Sequence, residues 1–187
     1  MLIDPSLIVR KTACGVIFND KRQILLIMRN DMPLWESVGG GVDEGETHEQ
    51  AVIRETKEEI GVDATIKRLI GTFYRRINDL AETGYRHFKL FELEADVSKI
   101  VLDEHIDSQW FSMDALPENT APLHILCFRY ADAGRENVEE ITELNNGREH
   151  MKTLSVDRIY GLDLWNKHPK VVAKRAAGEM RFDPFPV

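Results

Sequence analysis

The stretch GGGVDEGETHEQAVIRETKEEIGV, residues 39–62, decides how the rest of the chain is read. It joins a glycine run to a segment with the start and stop signals of a helix. Thr47 followed three residues later by Gln50 fits a capping box, and Gly61 followed by Val62 fits a C′ glycine with its apolar follower. The spacing predicts a helix over 48–60. On a helical wheel Glu55, Glu58 and Glu59 share an arc of about 100° near the C-terminal end. Like charges one turn apart destabilise a helix, and the negative end of the helix dipole makes this placement worse. Lys57 points away from that arc.

A bare ExxEE pattern is common on solvated helices. Here Ala51 and Val52 extend the acidic side with apolar surface, Ile53 and Ile60 suggest burial on a second side, and the glycine run enters directly. A divalent cation resolves the repulsion, because hard oxygen ligands select Mg²⁺, Mn²⁺ or Ca²⁺ and Mg²⁺ sites combine carboxylates with substrate phosphates. The glycine loop is neither a P-loop nor a dinucleotide fingerprint, since no G-K-[ST] and no G-x-G-x-x-G follows. Its use is close backbone approach to a metal or a phosphate.

Working outward, 187 residues with 43% hydrophobic and 30% charged content describe a soluble globular chain. The formal charge of −8 argues against nucleic acid and anionic membranes as partners. It leaves room for a small phosphorylated ligand whose charge a cation screens. Cys14 and Cys127 have apolar neighbours and read as buried free thiols. No signal peptide or membrane span is evident, so a cytoplasmic location is expected.

Strands are expected at 7–18 and 23–29, forming a hairpin, then a short strand before the glycine run. Further strands are expected at 64–76, with a bulge at Gly71, and at 85–96 and 105–111, with a loop over 77–84. A helix is expected at 120–134, capped by Thr120 and stopped by Gly134, and less distinct helices at 136–144 and 166–177. The order implies an α/β layer structure.

Residues 40–62 also resemble the Nudix box, G-x5-E-x7-R-E-U-x-E-E-x-G-U with U aliphatic. Gly40, Glu46, Arg54, Glu55, Glu58, Glu59 and Gly61 all match at their spacing, and Thr56 departs at one aliphatic position. The resemblance implies an α/β/α sandwich around a mixed β-sheet. It covers residues 1–134 as a Nudix hydrolase domain. Residues 135–187 would be a C-terminal extension, helical and packed on the domain or on the partner in a homodimer. It further implies a pyrophosphohydrolase that uses Mg²⁺ or Mn²⁺ to cleave a nucleoside diphosphate linked to another moiety. Glu55, Glu58 and Glu59 would be metal ligands or base, with a carbonyl from Gly40 or Gly39. Arg54 would orient a glutamate and Glu46 would act in support. Glu104, six residues before Trp110, would add a loop carboxylate, with Asp103 and Asp107 as competitors.

On the substrate side, Arg29, Arg75 and Arg76 are candidate phosphate partners. Tyr74 is the leading stacking candidate among Phe73, Tyr85, Phe88 and Trp35. ADP-ribose or a nucleotide sugar is the expected substrate. The alternatives are a nucleoside triphosphate, or a domain that senses a nucleotide without cleaving it.

Overall fold

The computed structural model describes residues 2–78, 83–180 and 182–184. Among these residues are eight strands: β1 (Ile8–Ile17), β2 (Ile24–Arg29), β3 (Trp35–Glu36), β4 (Val38–Gly41), β5 (Ala64–Asn78), β6 (Thr83–Ala95), β7 (His105–Phe111) and β8 (Val138–Thr142). The helices are α1 (His48–Ile60), α2 (Pro122–Asp132), α3 (Gly147–Met151), α4 (Leu162–Lys167) and α5 (Pro169–Ala176). A five-stranded mixed sheet has the order β4-β1-β6-β5-β8, and a three-stranded antiparallel sheet the order β3-β2-β7. The β1/β6 and β5/β8 pairs are parallel.

Helix α1 forms over the expected residues. The Thr47 and Gln50 side chains cap each other's backbone, and Gly61 takes the left-handed conformation at φ 73°. Ala51, Val52 and Ile60 of α1 pack with Ala13 and Ile17 of β1, Leu25 and Ile27 of β2, and Phe91 and Leu93 of β6. The helix is therefore held between the two sheets. On the other face of the large sheet, α2 buries Leu123, Cys127, Phe128 and Ala131 against Phe73, Phe88 and Leu90. Apolar layers on both sides of the mixed sheet give the α/β/α arrangement. Both cysteines are free and buried.

Three local expectations need correction. β1 and β2 do not form a hairpin: they share only the isolated bridge Phe18↔Ile24 and then enter different sheets. β2 is buried on both faces, as its unbroken apolar run predicts, so each face needs its own covering layer. The α2 cap is Ala121 without a side-chain bond, because Thr120 is drawn into a parallel bridge with Trp35. The segment 136–144 contains no helix. Its residues 138–142 form β8, which pairs along the open edge of β5. There Glu139 accepts from the Tyr74 hydroxyl at 3.1 Å and Glu140 from the Tyr130 hydroxyl at 2.7 Å. Paired acids that look like a helix surface are here bound on opposite faces of a strand.

β5 bulges beside Gly71 as expected, with a second irregularity between Ile66 and Arg68. The loop expected over 77–84 lies partly outside the described residues, and β5 continues to Asn78. The helix expected at 166–177 is split by Pro169 into the end of α4 and all of α5. Residues beyond 135 enter the main core. Met151, Ile159, Leu162, Trp165 and Val171 pack with Met28, Trp35 and Phe111.

Candidate active site

Arg54 organises the acids of the box. Its guanidinium grips Glu46 with two bonds, Nε to Oε1 at 3.0 Å and Nη2 to Oε2 at 2.9 Å. The same side chain donates from Nη1 to Glu55 and to Glu58, each at 2.9 Å, and from Nη2 to the Gly41 carbonyl at 2.9 Å. The fork geometry of arginine suits this multiple contact. It ties the α1 acids to the strand that carries the glycines. The Arg54 bonds come first among the causes that hold the Glu46 carboxyl below its ordinary value. Thr56, the departure from the aliphatic pattern, is fully buried and satisfies its hydroxyl by donating to the Val52 carbonyl at 2.7 Å.

The glycine run approaches two of the glutamates closely. A Cβ on Gly40 would lie 2.5 Å from the Glu55 carboxyl carbon, so glycine here leaves the Glu55 carboxylate its place where β4 meets α1. The Gly39 amide donates to Glu59 Oε2 at 2.7 Å. Glu59 is only 6% exposed. Its burial, then the charge of nearby Glu36, push its carboxyl up to about 9 against the opposing pull of the Gly39 amide. Burial also raises Glu55, partly offset by Arg54. Glu58 is the most exposed of the three.

Two residues that no motif singled out complete the surroundings. The His105 Nε2 lies 3.5 Å from Glu36 Oε1 and 3.7 Å from Glu59 Oε1. Ligand atoms of Glu36, Glu59 and His105 fall within 4.8 Å of one another, the one such group among the described residues. Burial raises Glu36, but Arg29, with Nη1 2.8 Å away, and His105 outweigh it and hold the carboxyl at about 2. The donor set of one buried and one half-buried carboxylate with a buried imidazole fits a divalent cation. A buried carboxyl pushed up by a like charge is the electrostatic strain that such a cation relieves. The signal for His105 was its place between Glu104 and the strand leading to Trp110. Glu36 had no signal beyond its neighbour Trp35, because its role depends on pairing of β3 with β2.

Some of the remaining expected residues line two cavities. The larger, about 840 Å³, is lined by Arg29, Arg75 and Arg76 together with Gly39, Gly40 and Glu36. Arg29 is bound to Asp31 through Nε and Nη2 as well as to Glu36. Tyr74 is not brought there. It alternates with Arg75 along β5 and faces the other side, stacked on His87 at 5.1 Å between ring centres. Trp35 and Phe73 are core residues, while Phe88 lines the larger cavity. The smaller cavity, about 340 Å³, brings Glu104, Asp103 and Lys174 beside Glu59 and His105. Glu104 itself is exposed, and its main-chain carbonyl accepts from the Asn30 side chain. Asp107 instead accepts from Gln109 at 2.7 Å.

The model of the NUDIX domain family matches residues 9–131. This chain belongs to the Nudix family. The matched segment runs from β1 through most of α2, so it contains the box, both sheets except β8, and the Glu36–Glu59–His105 group.

Among curated proteins, the Nudix chain is 45% identical over 60 residues to a putative 8-oxo-dGTP diphosphatase of Bacillus subtilis, covering 32% of this chain and 40% of that protein. It is 45% identical over 51 residues to the dihydroneopterin triphosphate diphosphatase of Escherichia coli, covering 27% and 34%. It is 34% identical over 88 residues to an NAD-capped RNA hydrolase of Pseudomonas aeruginosa, covering 45% and 29%. The alignments thus span less than half the length of these relatives. Among solved structures, the E. coli ORF135 protein superposes with a TM-score of 0.58 at 26% identity, covering 70% of this chain and 94% of that one. A MutT NUDIX hydrolase from Burkholderia pseudomallei gives 0.55 at 26%, covering 65% and 96%. Among the described residues no helix is long and apolar enough to cross a membrane.

Proposed function

We propose that this Nudix protein is a pyrophosphohydrolase that cleaves the phosphoanhydride of a nucleoside diphosphate linked to a further group. The observation that carries the reading is the joining of Glu55 and Glu59 to the glycine strand, with Arg54 binding Glu46, Glu55 and Glu58 at one edge of a large cation-lined cavity. Nudix enzymes generally need divalent metal ions. Here Glu55, Glu58 and Glu59, with a carbonyl of Gly39 or Gly40, would hold Mg²⁺ or Mn²⁺, and Glu36 and His105 border the same place. Bound there, the ion would neutralise diphosphate charge and acidify a water.

The protein's own groups do the rest. Arg54 keeps Glu55 and Glu58 facing the glycine strand, and its grip on Glu46 fixes its own position. The Gly39 amide sets the rotamer of Glu59. One of the glutamates of the box takes the proton of the attacking water. The arginines of the larger cavity hold phosphate oxygens of the substrate.

ADP-ribose or a nucleotide sugar suits a cavity of this size. Nucleoside triphosphates are the second reading, favoured by the printed activities of the Bacillus and Escherichia relatives. A panel of ADP-ribose, nucleotide sugars, dinucleotides and nucleoside triphosphates, assayed with Mg²⁺ and resolved by chromatography, tests both. Cleavage at a phosphoanhydride in at least one class is expected. Binding without turnover across the panel would replace the enzyme reading with a nucleotide-sensing one.

A further inference from the structure

Helix α5 lies beyond the residues matched by the family model, yet its Lys174 lines the smaller cavity beside Glu59 and His105. Lys170 and Lys174 are four residues apart and share one face of the helix. The Lys170 ammonium donates to the main-chain carbonyl of Asp103. The Lys174 ammonium donates to the side-chain carbonyl of Asn30, and the Asn30 amide donates to the main-chain carbonyl of Glu104. Val171, between the two lysines, is fully buried in the core, so the helix that presents them is itself fixed.

The two carbonyls belong to the segment that leads into β7. That segment starts beside the end of the box helix, where the Val101 amide donates to the Ile60 carbonyl at 3.0 Å. It ends at His105, the first residue of β7 and a member of the Glu36–Glu59–His105 group. The ladder of β7 with β2 has the pair Arg29↔His105 at this end. Asp103 and Glu104 precede it, so their carbonyls take partners from side chains instead. The bonds from Lys170 and Asn30 go to main-chain oxygens. They leave the Asp103 and Glu104 carboxylates to the cavity.

We propose that Lys170 and Lys174 are positioning residues of the active site, which hold the Asp103–Glu104 segment so that the Glu104 carboxylate stands beside Glu59 and His105 and strengthens the hold on the cation. The proposal rests on the pyrophosphohydrolase reading for the cation and its use. Ordering an exposed loop carboxylate at a metal costs conformational entropy, and a backbone fixed beforehand removes that cost. Charge and position act with opposite signs here. An ammonium near a cation site repels the ion, so removing it would tighten metal binding if charge were its whole effect. Lysines that keep Glu104 in place have the reverse effect, and their removal weakens metal binding. The segment outside the family match then serves the site as well as the core.

The test is calorimetric titration of the full chain with Mn²⁺, together with kinetics on the best substrate of the panel. A Lys170→Met, Lys174→Met double variant and Asn30→Ala should each bind Mn²⁺ at least about fivefold more weakly, with kcat lowered and KM within about twofold of the wild type. Glu104→Gln should show the same weakening. Added to the lysine variant it should cause no further loss, because residues acting through one another are not additive. Unchanged or tighter Mn²⁺ binding in the lysine variant, or losses that add to that of Glu104→Gln, would overturn the proposal. Asn30→Ala breaks the same relay with no change of charge. It decides the matter if the lysine variant fails to fold, and wild-type Mn²⁺ affinity there would overturn the proposal as well. The two readings fail separately. Cleavage of a phosphoanhydride with Mn²⁺ affinity unmoved by the variants removes the positioning role and leaves the hydrolase. Weakened Mn²⁺ binding in a chain that cleaves nothing on the panel does the reverse.

Discussion

Glu59 accepts a hydrogen bond from the Gly39 amide at 2.7 Å, so the last acid of the box helix is fastened to the strand that runs beside it. Twenty residues of sequence separate the two, and the bond makes the glycine run and the helix one unit. The consequences of that arrangement can be measured.

Gly40→Ala should leave a folded protein with a damaged site. The new Cβ meets the end of the Glu55 side chain, which can swing aside at modest cost. Circular dichroism should be unchanged, while kcat falls by at least about tenfold because Glu55 has left its place. Retention of full turnover would show that the contact is incidental.

Arg54→Lys keeps the charge and removes the fork. Lysine can satisfy one of the three carboxylates but not hold Glu46 through two bonds while reaching Glu55 and Glu58. The expected outcome is a loss of about 10²-fold in kcat, with a melting temperature close to the wild type because the guanidinium is partly exposed. A lysine variant with wild-type kcat would contradict the organising role of this residue.

Stability should decline as the solution is acidified from about pH 6.5 towards pH 4. Burial, then the charge of neighbouring His48, lower His87 to about 4, and burial also lowers His48. Both are therefore neutral in the fold at pH values where the unfolded chain, with an ordinary histidine near 6.5, binds protons. Because the unfolded state takes up protons first, stability present above pH 6.5 is lost as pH falls through that window. Urea midpoints across pH 4.5–7.5 should show the slope, and a His48→Gln, His87→Gln double variant should flatten it. An unchanged slope in the double variant would place the dependence elsewhere.

Trp165→Ala should destabilise the whole domain. Trp165 is fully buried and packs in the cluster that contains Trp35 and Phe111. A loss of about 3–5 kcal/mol is expected for truncating such a side chain, read as a lower denaturant midpoint for a single transition. Two separate transitions would mean that the segment beyond residue 135 folds as an independent appendage.

The helix of the box was legible to the residue because its signals are local. Thr47, Gln50 and Gly61 act within a turn of their own positions. The convergence of Glu55, Glu58 and Glu59 followed from helical periodicity alone. What escaped the sequence depends on pairing between distant segments. Glu36 reaches His105 because β3 and β7 both flank β2. Arg10 becomes a neighbour of Arg86 through the parallel pairing of β1 with β6, two strands far apart in sequence. Residues 138–142 carry two glutamates suited to a helix surface, but the free edge of β5 offered a ladder and two tyrosine hydroxyls, and tertiary context overrode propensity. Tyr74 could not be told from Arg75 as a cavity residue until the facing of β5 was known.

The most direct test of the account is the turnover of Glu59→Gln on the best substrate of the diphosphate panel, with Mg²⁺ at saturating concentration. The substitution keeps the size of the side chain and an acceptor for the Gly39 amide while removing the carboxylate. The account predicts a folded protein whose kcat falls by roughly 10²-fold or more. A folded variant with near-normal turnover would contradict the assignment of this helix as the catalytic element.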